Sequence, residues 1–133
     1  MSNARRLQVS NVYFYRGDLF APVPDELLGR VDAILAHLPS VPGGAAARST
    51  RPIGIPRATL VGPDPDGLGL IRRLMTEGRP WLAPGGSLIV SMQDWQCRAL
   101  EPLAASLGYV TESASVPQAE SGVIVRMIRT GSR

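Results

Sequence analysis

The chain has 133 residues, of which 44% are hydrophobic and 19% charged, a balance that suits one globular domain with a modest core. No apolar run approaches the ~18 residues of a membrane span, and the polar start Met1-Ser-Asn-Ala-Arg-Arg6 is not expected to act as a secretory signal. The net charge is only +3, its 14 basic residues are scattered arginines, and aromatics make up 5% of the chain, so a basic stripe with stacking rings for nucleic acid is not expected.

Taken in order, Ser2 to Gln8 reads as a few helical turns capped by Ser2 or Asn3. Asn11-Val-Tyr-Phe-Tyr-Arg16 is rich in β-formers and predicts a strand, ended by Gly17-Asp18. Pro22 and Pro24 impose a loop, and Asp25 is placed to cap a helical turn closed by Gly29. Val31 to Ala36 is a nearly unbroken apolar run and predicts a strand covered on both faces. His37, Pro39, Ser40 and Pro42 stop it. Ligands of open α/β sheets sit beyond the carboxyl ends of such strands, so chemistry is expected at Asp18 and at His37 to Ser40.

Residues 42–65 are rich in proline and glycine and read as a long loop carrying Arg48, Arg51 and Arg57. Asp64 or Asp66 then starts a helix whose Leu68, Ile71, Leu74 and Met75 share one face, with Trp81 beyond them. Pro84-Gly85-Gly86 is a turn into a second buried strand, Ser87 to Ser91. A helix over 94–107 follows, with Asp94 as N-cap, Gly108 at its end, and a buried stripe of Trp95, Leu100, Leu103 and Leu107. Tyr109 to Ala114 and Gly122 to Ile128 predict an antiparallel hairpin around the turn 117–121. Strands alternating with helices imply an α/β fold with a largely parallel sheet, all within one domain spanning 1–133.

Cys97 is alone, which excludes an internal disulfide framework and fits a reducing, cytoplasmic setting. It lies in the first turn of a helix and is read as a buried structural thiol. One histidine and one cysteine cannot make the usual zinc sets, so no metal site is expected.

Four segments in order give the chain a resemblance: Gly17-Asp-Leu-Phe20, Val31 to Pro42, Asp66-Gly-Leu68, and Leu82-Ala-Pro-Gly-Gly-Ser-Leu-Ile-Val90 followed by Gln96. Together they resemble the C-terminal half of a class I S-adenosylmethionine-dependent methyltransferase. The nearest group is the methyltransferases of release-factor glutamines and their adenine-amino-group relatives. The resemblance implies a partial Rossmann-like sheet, mostly parallel with an antiparallel C-terminal hairpin. The family's strand order is three, two, one, four, five, seven, six.

The resemblance also implies roles for named residues. Asp18 would accept from the adenine amino group of the cofactor, with Leu19 packed beside the ring; the alternative is that Asp18 caps the turn after Gly17. The family's substrate-holding Asn-Pro-Pro-Tyr falls on His37, Leu38, Pro39 and Ser40, of which only Pro39 agrees. Here His37 and Pro39 would carry the chemistry and Leu38 and Ser40 would line the substrate. His37 could move a proton, since its ordinary pKa is near neutrality, or it is a loop histidine without a catalytic role.

The first two strands, their Gly-rich loop and the acidic residue for the ribose hydroxyls are missing from this pattern. The Val31–Ala36 strand is then an exposed apolar edge that invites another chain. Three outcomes are open: the Val12 strand closes onto it, two copies pair or exchange elements, or a separate polypeptide supplies the missing half. The expected function is a methyltransferase-like protein completed by self-association or a partner. The alternatives are a non-catalytic binding or assembly subunit, or a repurposed cyclase or isomerase using His37 or Asp94.

Overall fold

The computed structural model describes residues 2–40, 64–117 and 122–131. The elements are α1 (Ser2–Arg6), β1 (Val31–Ala36), α2 (Gly69–Gly78), β2 (Leu82–Gln93), α3 (Asp94–Ser106), β3 (Tyr109–Ser115) and β4 (Gly122–Arg129). Short 3-10 turns at Asp25–Leu27 and Arg79–Trp81 precede β1 and β2.

The four strands form one sheet in the order β1-β2-β4-β3. β1 runs parallel to β2, whereas β2–β4 and β3–β4 are antiparallel. The expectation of a mostly parallel sheet is therefore corrected for the described strands, among which one pairing of three is parallel. The order is that of the last four strands in the arrangement which the resemblance implies, and the mixed sheet is compatible with a methyltransferase-like α/β fold. β4 enters between β2 and β3 because the chain turns back after β3 and lays an apolar run, Val123, Val125 and Met127, along the free edge of β2.

Both helices cover the same face. Ile71, Leu74 and Met75 of α2 and Cys97, Leu100 and Ala104 of α3 meet Leu88, Val90 and Met92 of β2 and the apolar row of β4 in one cluster. Each fully buried leucine, isoleucine or methionine there contributes about 1.5–3 kcal/mol. Tyr109 closes the cluster and donates its hydroxyl to the Met75 carbonyl at 3.0 Å. On the opposite face, which no described helix covers, Leu35, Val110 and Ile124 are exposed, and Arg126 lies across it, donating to the buried Ser87 Oγ and pairing with Glu112.

β1 has the predicted span, but not the predicted burial. It is an edge strand with Ile34 and Ala36 half-buried on the helix side and Leu35 76% exposed on the other. Its hydrophobicity serves one face only. Asn11 to Arg16 forms no strand, and Val12, Tyr13, Phe14 and Tyr15 are all exposed. β propensity expresses itself through neighbours, and this segment has no described strand beside it.

Local corrections have similar causes. β2 begins at Leu82, so Pro84-Gly85-Gly86 lies inside the strand as an irregularity opposite Val31 to Ala33 rather than before it. A Cβ on Gly86 would lie 2.8 Å from the Val31 carbonyl oxygen, which only glycine allows. Gln93, not Asp94, caps α3, through a reciprocal box with Gln96; Asp94 instead pairs with Arg98 one turn on. The buried stripe of α3 is Gln96, Cys97, Leu100 and Ala104, which leaves Trp95 44% exposed. Asp25 is the first residue of its turn and caps nothing by side chain. Trp81 lies in the 3-10 turn after α2, buried and stacked on Phe20 with centroids 5.7 Å apart. The expected loop 42–65 falls outside the described residues up to 63, as do residues 118–121 of the expected hairpin turn.

Candidate functional site

The parallel pairing brings the carboxyl ends of β1 and β2 side by side. Ala36 is opposite Val90, so the next residues, His37 and Ser91, are set together by register alone. His37 Nδ1 and Ser91 Oγ share a hydrogen bond of 2.7 Å, with the donor fixed by the imidazole tautomer. The imidazole is exposed and Ser91 half-buried.

The rest of the post-β1 loop is fixed from α3. Gln96 is fully buried, and its Nε2 donates to the Ser40 carbonyl at 2.7 Å while its Oε1 accepts from the Gln93 amide at 2.9 Å. One amide therefore caps α3 and holds the loop. Leu38 packs against the core and Pro39 is half-buried, which leaves His37 as the exposed side chain of the tetrapeptide. Gln96, part of the resemblance noted in the sequence, is sealed inside with both amide ends used.

Asp18 and Leu19 belong to another part of the surface. Both carboxylate oxygens of Asp18 accept from Arg73 of α2, at 2.9 and 3.3 Å, and Arg73 also pairs with Glu77. These two carboxylates hold the Arg73 guanidinium well above its ordinary pKa. Leu19 has φ 44° and packs against the core, one residue before the Phe20–Trp81 stack. Among the described residues, no hydrogen bond or ion pair joins Asp18 or Leu19 to His37–Ser40.

The site thus consists of His37, Ser91 and the backbone of a loop locked by Gln96. It can accept and donate hydrogen bonds at a sheet end. Among the described residues it is not a complete pocket for an adenosyl cofactor. The Asp18 carboxylate is engaged by a guanidinium, Leu19 is turned to the core, and no described glycine loop follows a strand and opens a helix. Gly86 approaches the Val31 backbone rather than free space. Cys97 is buried, and desolvation together with Glu101 raises its thiol pKa, so it offers no thiolate to this site. No group of three metal-ligating side chains occurs among the described residues, and no described helix is long and apolar enough to cross a membrane.

A roomier hollow of about 400 Å³ lies at the other end of the sheet, lined by Leu28, Gly29, Arg30, Pro84 and Arg129. Sequence reasoning passed over Ser91 and Arg73. The first was accessible through strand register; the second pairs with a residue 55 positions away and left no local signal.

No protein-family model matches the chain. Over 86 residues it is 34% identical to the ribosomal protein uL3 glutamine methyltransferase of Burkholderia pseudomallei (strain K96243), a match spanning 61% of this chain and 28% of that protein. With the sheet order and the helix-covered face already described, this similarity supports a relationship to the methyltransferase family.

Proposed function

We propose that this chain is the substrate-facing portion of an S-adenosylmethionine-dependent methyltransferase-like protein acting on a nitrogen or oxygen nucleophile. The observation that carries the reading is the 34% identity with a glutamine methyltransferase. The sheet order and the loop held at the carboxyl end of β1 support it. In this reading the locked His37–Ser40 loop presents carbonyl groups and an imidazole to a planar acceptor. The chain's work is positioning, with its rigid loop limiting the acceptor's freedom.

The described residues do not make a cofactor pocket, so the reading includes completion by self-association or by a partner chain. A second reading, a non-catalytic binding or assembly subunit, is favoured by one observation: the Asp18 carboxylate is bound by Arg73. Calorimetric titration of the folded chain with S-adenosylmethionine and with its demethylated product separates them. Micromolar binding supports the methyltransferase reading. No binding, by the chain alone or with candidate partners, supports the subunit.

A further inference from the structure

We propose that two copies of this chain associate by exchange, residues Asn11–Arg16 of each adding as an antiparallel strand to the free edge of the other's β1.

Three observations lead there. First, β1 ends the described sheet and has β2 as its one described neighbour, so among the described residues no strand takes its outer row of N–H and C=O groups. Second, Asn11–Arg16 carries four consecutive strong β-formers, Val12 to Tyr15, all exposed, with Tyr13 at 79%. It matches the six residues of β1 in length. Third, within one chain the segment forms no strand on that edge, although the residues just after it are fastened to α2 and the turn beyond, Asp18 by Arg73 and Phe20 by the Trp81 stack.

Side-chain chemistry selects the register. Asp32 is the single charge in β1 and Arg16 the single charge in 11–16. Placing Arg16 opposite the exposed Asp32 in an antiparallel pair puts Phe14 opposite Ile34 and Val12 opposite Ala36, the two half-buried positions on the helix-covered face. The alternate row then sets Tyr13 opposite Leu35 on the open face, where a phenol keeps its hydroxyl in water. Charge, apolar and amphipathic positions agree at once, and a one-residue slip would reverse all of them. The exchange is reciprocal, so the assembly closes with two-fold symmetry and does not propagate.

The inference is independent of the cofactor reading, since it concerns only which edge is covered and by what. Light scattering on the purified chain at micromolar concentration should give twice the 14.2 kDa of one copy. The double variant Tyr13→Pro, Tyr15→Pro should give one copy, with the helical part of its circular-dichroism spectrum unchanged, because the prolines disrupt only the added strand. Mixing Tyr13→Cys with Leu35→Cys and oxidising should yield a covalent heterodimer. A monomeric wild-type chain would assign the edge to another polypeptide and overturn the proposal. A dimer that persists in the proline variant, or failure of the cysteine pair to cross-link, would overturn it equally.

Discussion

Gln96 and Ser40, 56 residues apart, are joined by an Nε2–H···O=C bond of 2.7 Å that fastens the loop beyond β1 to the first turn of α3. Because Gln96 is fully buried, removing it takes away the bond to the Ser40 carbonyl and the one from the Gln93 amide. Gln96→Leu should cost about 2 kcal/mol in urea unfolding. Gln96→Glu adds a pH signature. Its carboxylate can still accept from Gln93 but cannot donate to Ser40, so burial favours the protonated form and raises its folded pKa above the unfolded value. The variant should therefore be most stable at acid pH and lose stability as pH rises; unfolding midpoints at two pH values measure this.

Asp18→Asn distinguishes a cofactor ligand from a surface partner of Arg73. Both side chains are largely exposed, at 67% and 47%, so the fold should hardly notice the change. If Asp18 holds an adenine amino group in the assembled protein, the variant should lose cofactor affinity by about tenfold with its melting temperature unchanged. Equal affinities would leave Asp18 as a tether of α2 alone.

The neighbouring glycines of β2 should behave differently. At Gly86 an added Cβ meets two backbone carbonyl oxygens, of Val31 at 2.8 Å and Ala83 at 2.9 Å, neither of which can swing aside. Gly86→Ala should cost about 3 kcal/mol. Gly85 has φ +77° but open space around it, so Gly85→Ala should cost only about 1–2 kcal/mol of backbone strain. Thermal melts of the two variants give the comparison directly.

Tyr109 supplies an alkaline limit. Desolvation raises its phenol to about 12, above the ordinary value near 10. A group whose folded pKa is raised stabilises the fold fully below its unfolded pKa and loses that contribution as pH rises through the folded value. The wild-type chain should thus weaken between about pH 10 and 12. Tyr109→Phe should be about 1 kcal/mol less stable at neutral pH, through loss of the bond to Met75, and show a flatter alkaline profile.

What the sequence revealed depended on whether the cause was local. The span of β1, the apolar face of α2 and the hairpin of β3 and β4 follow from runs and periodicities a few residues long, and they stand where expected. Asn11–Arg16 shows the limit, because β-formers make a strand only where a neighbour takes their hydrogen bonds. Trp95 shows another: α3 buries Cys97, Leu100 and Ala104, a phase set by packing on β2, and a stripe that counted the largest rings chose the adjacent face. The His37–Ser91 contact was half legible, since His37 was singled out but its partner required the parallel register. Arg73 on Asp18 and Gln96 on Ser40 are tertiary bonds between distant positions and have no sequence trace.

A sheet clothed in helices on one side has a calorimetric consequence. The heat-capacity increment of unfolding follows the apolar surface newly wetted, and here Leu35, Val110 and Ile124 are already wet before unfolding begins. The increment should fall below the ~12–15 cal/mol/K per residue of fully layered domains. The slope of stability against urea should be shallow for the chain's length, as the same exposed area governs both. The stability curve of this protein against temperature would accordingly be broad and low.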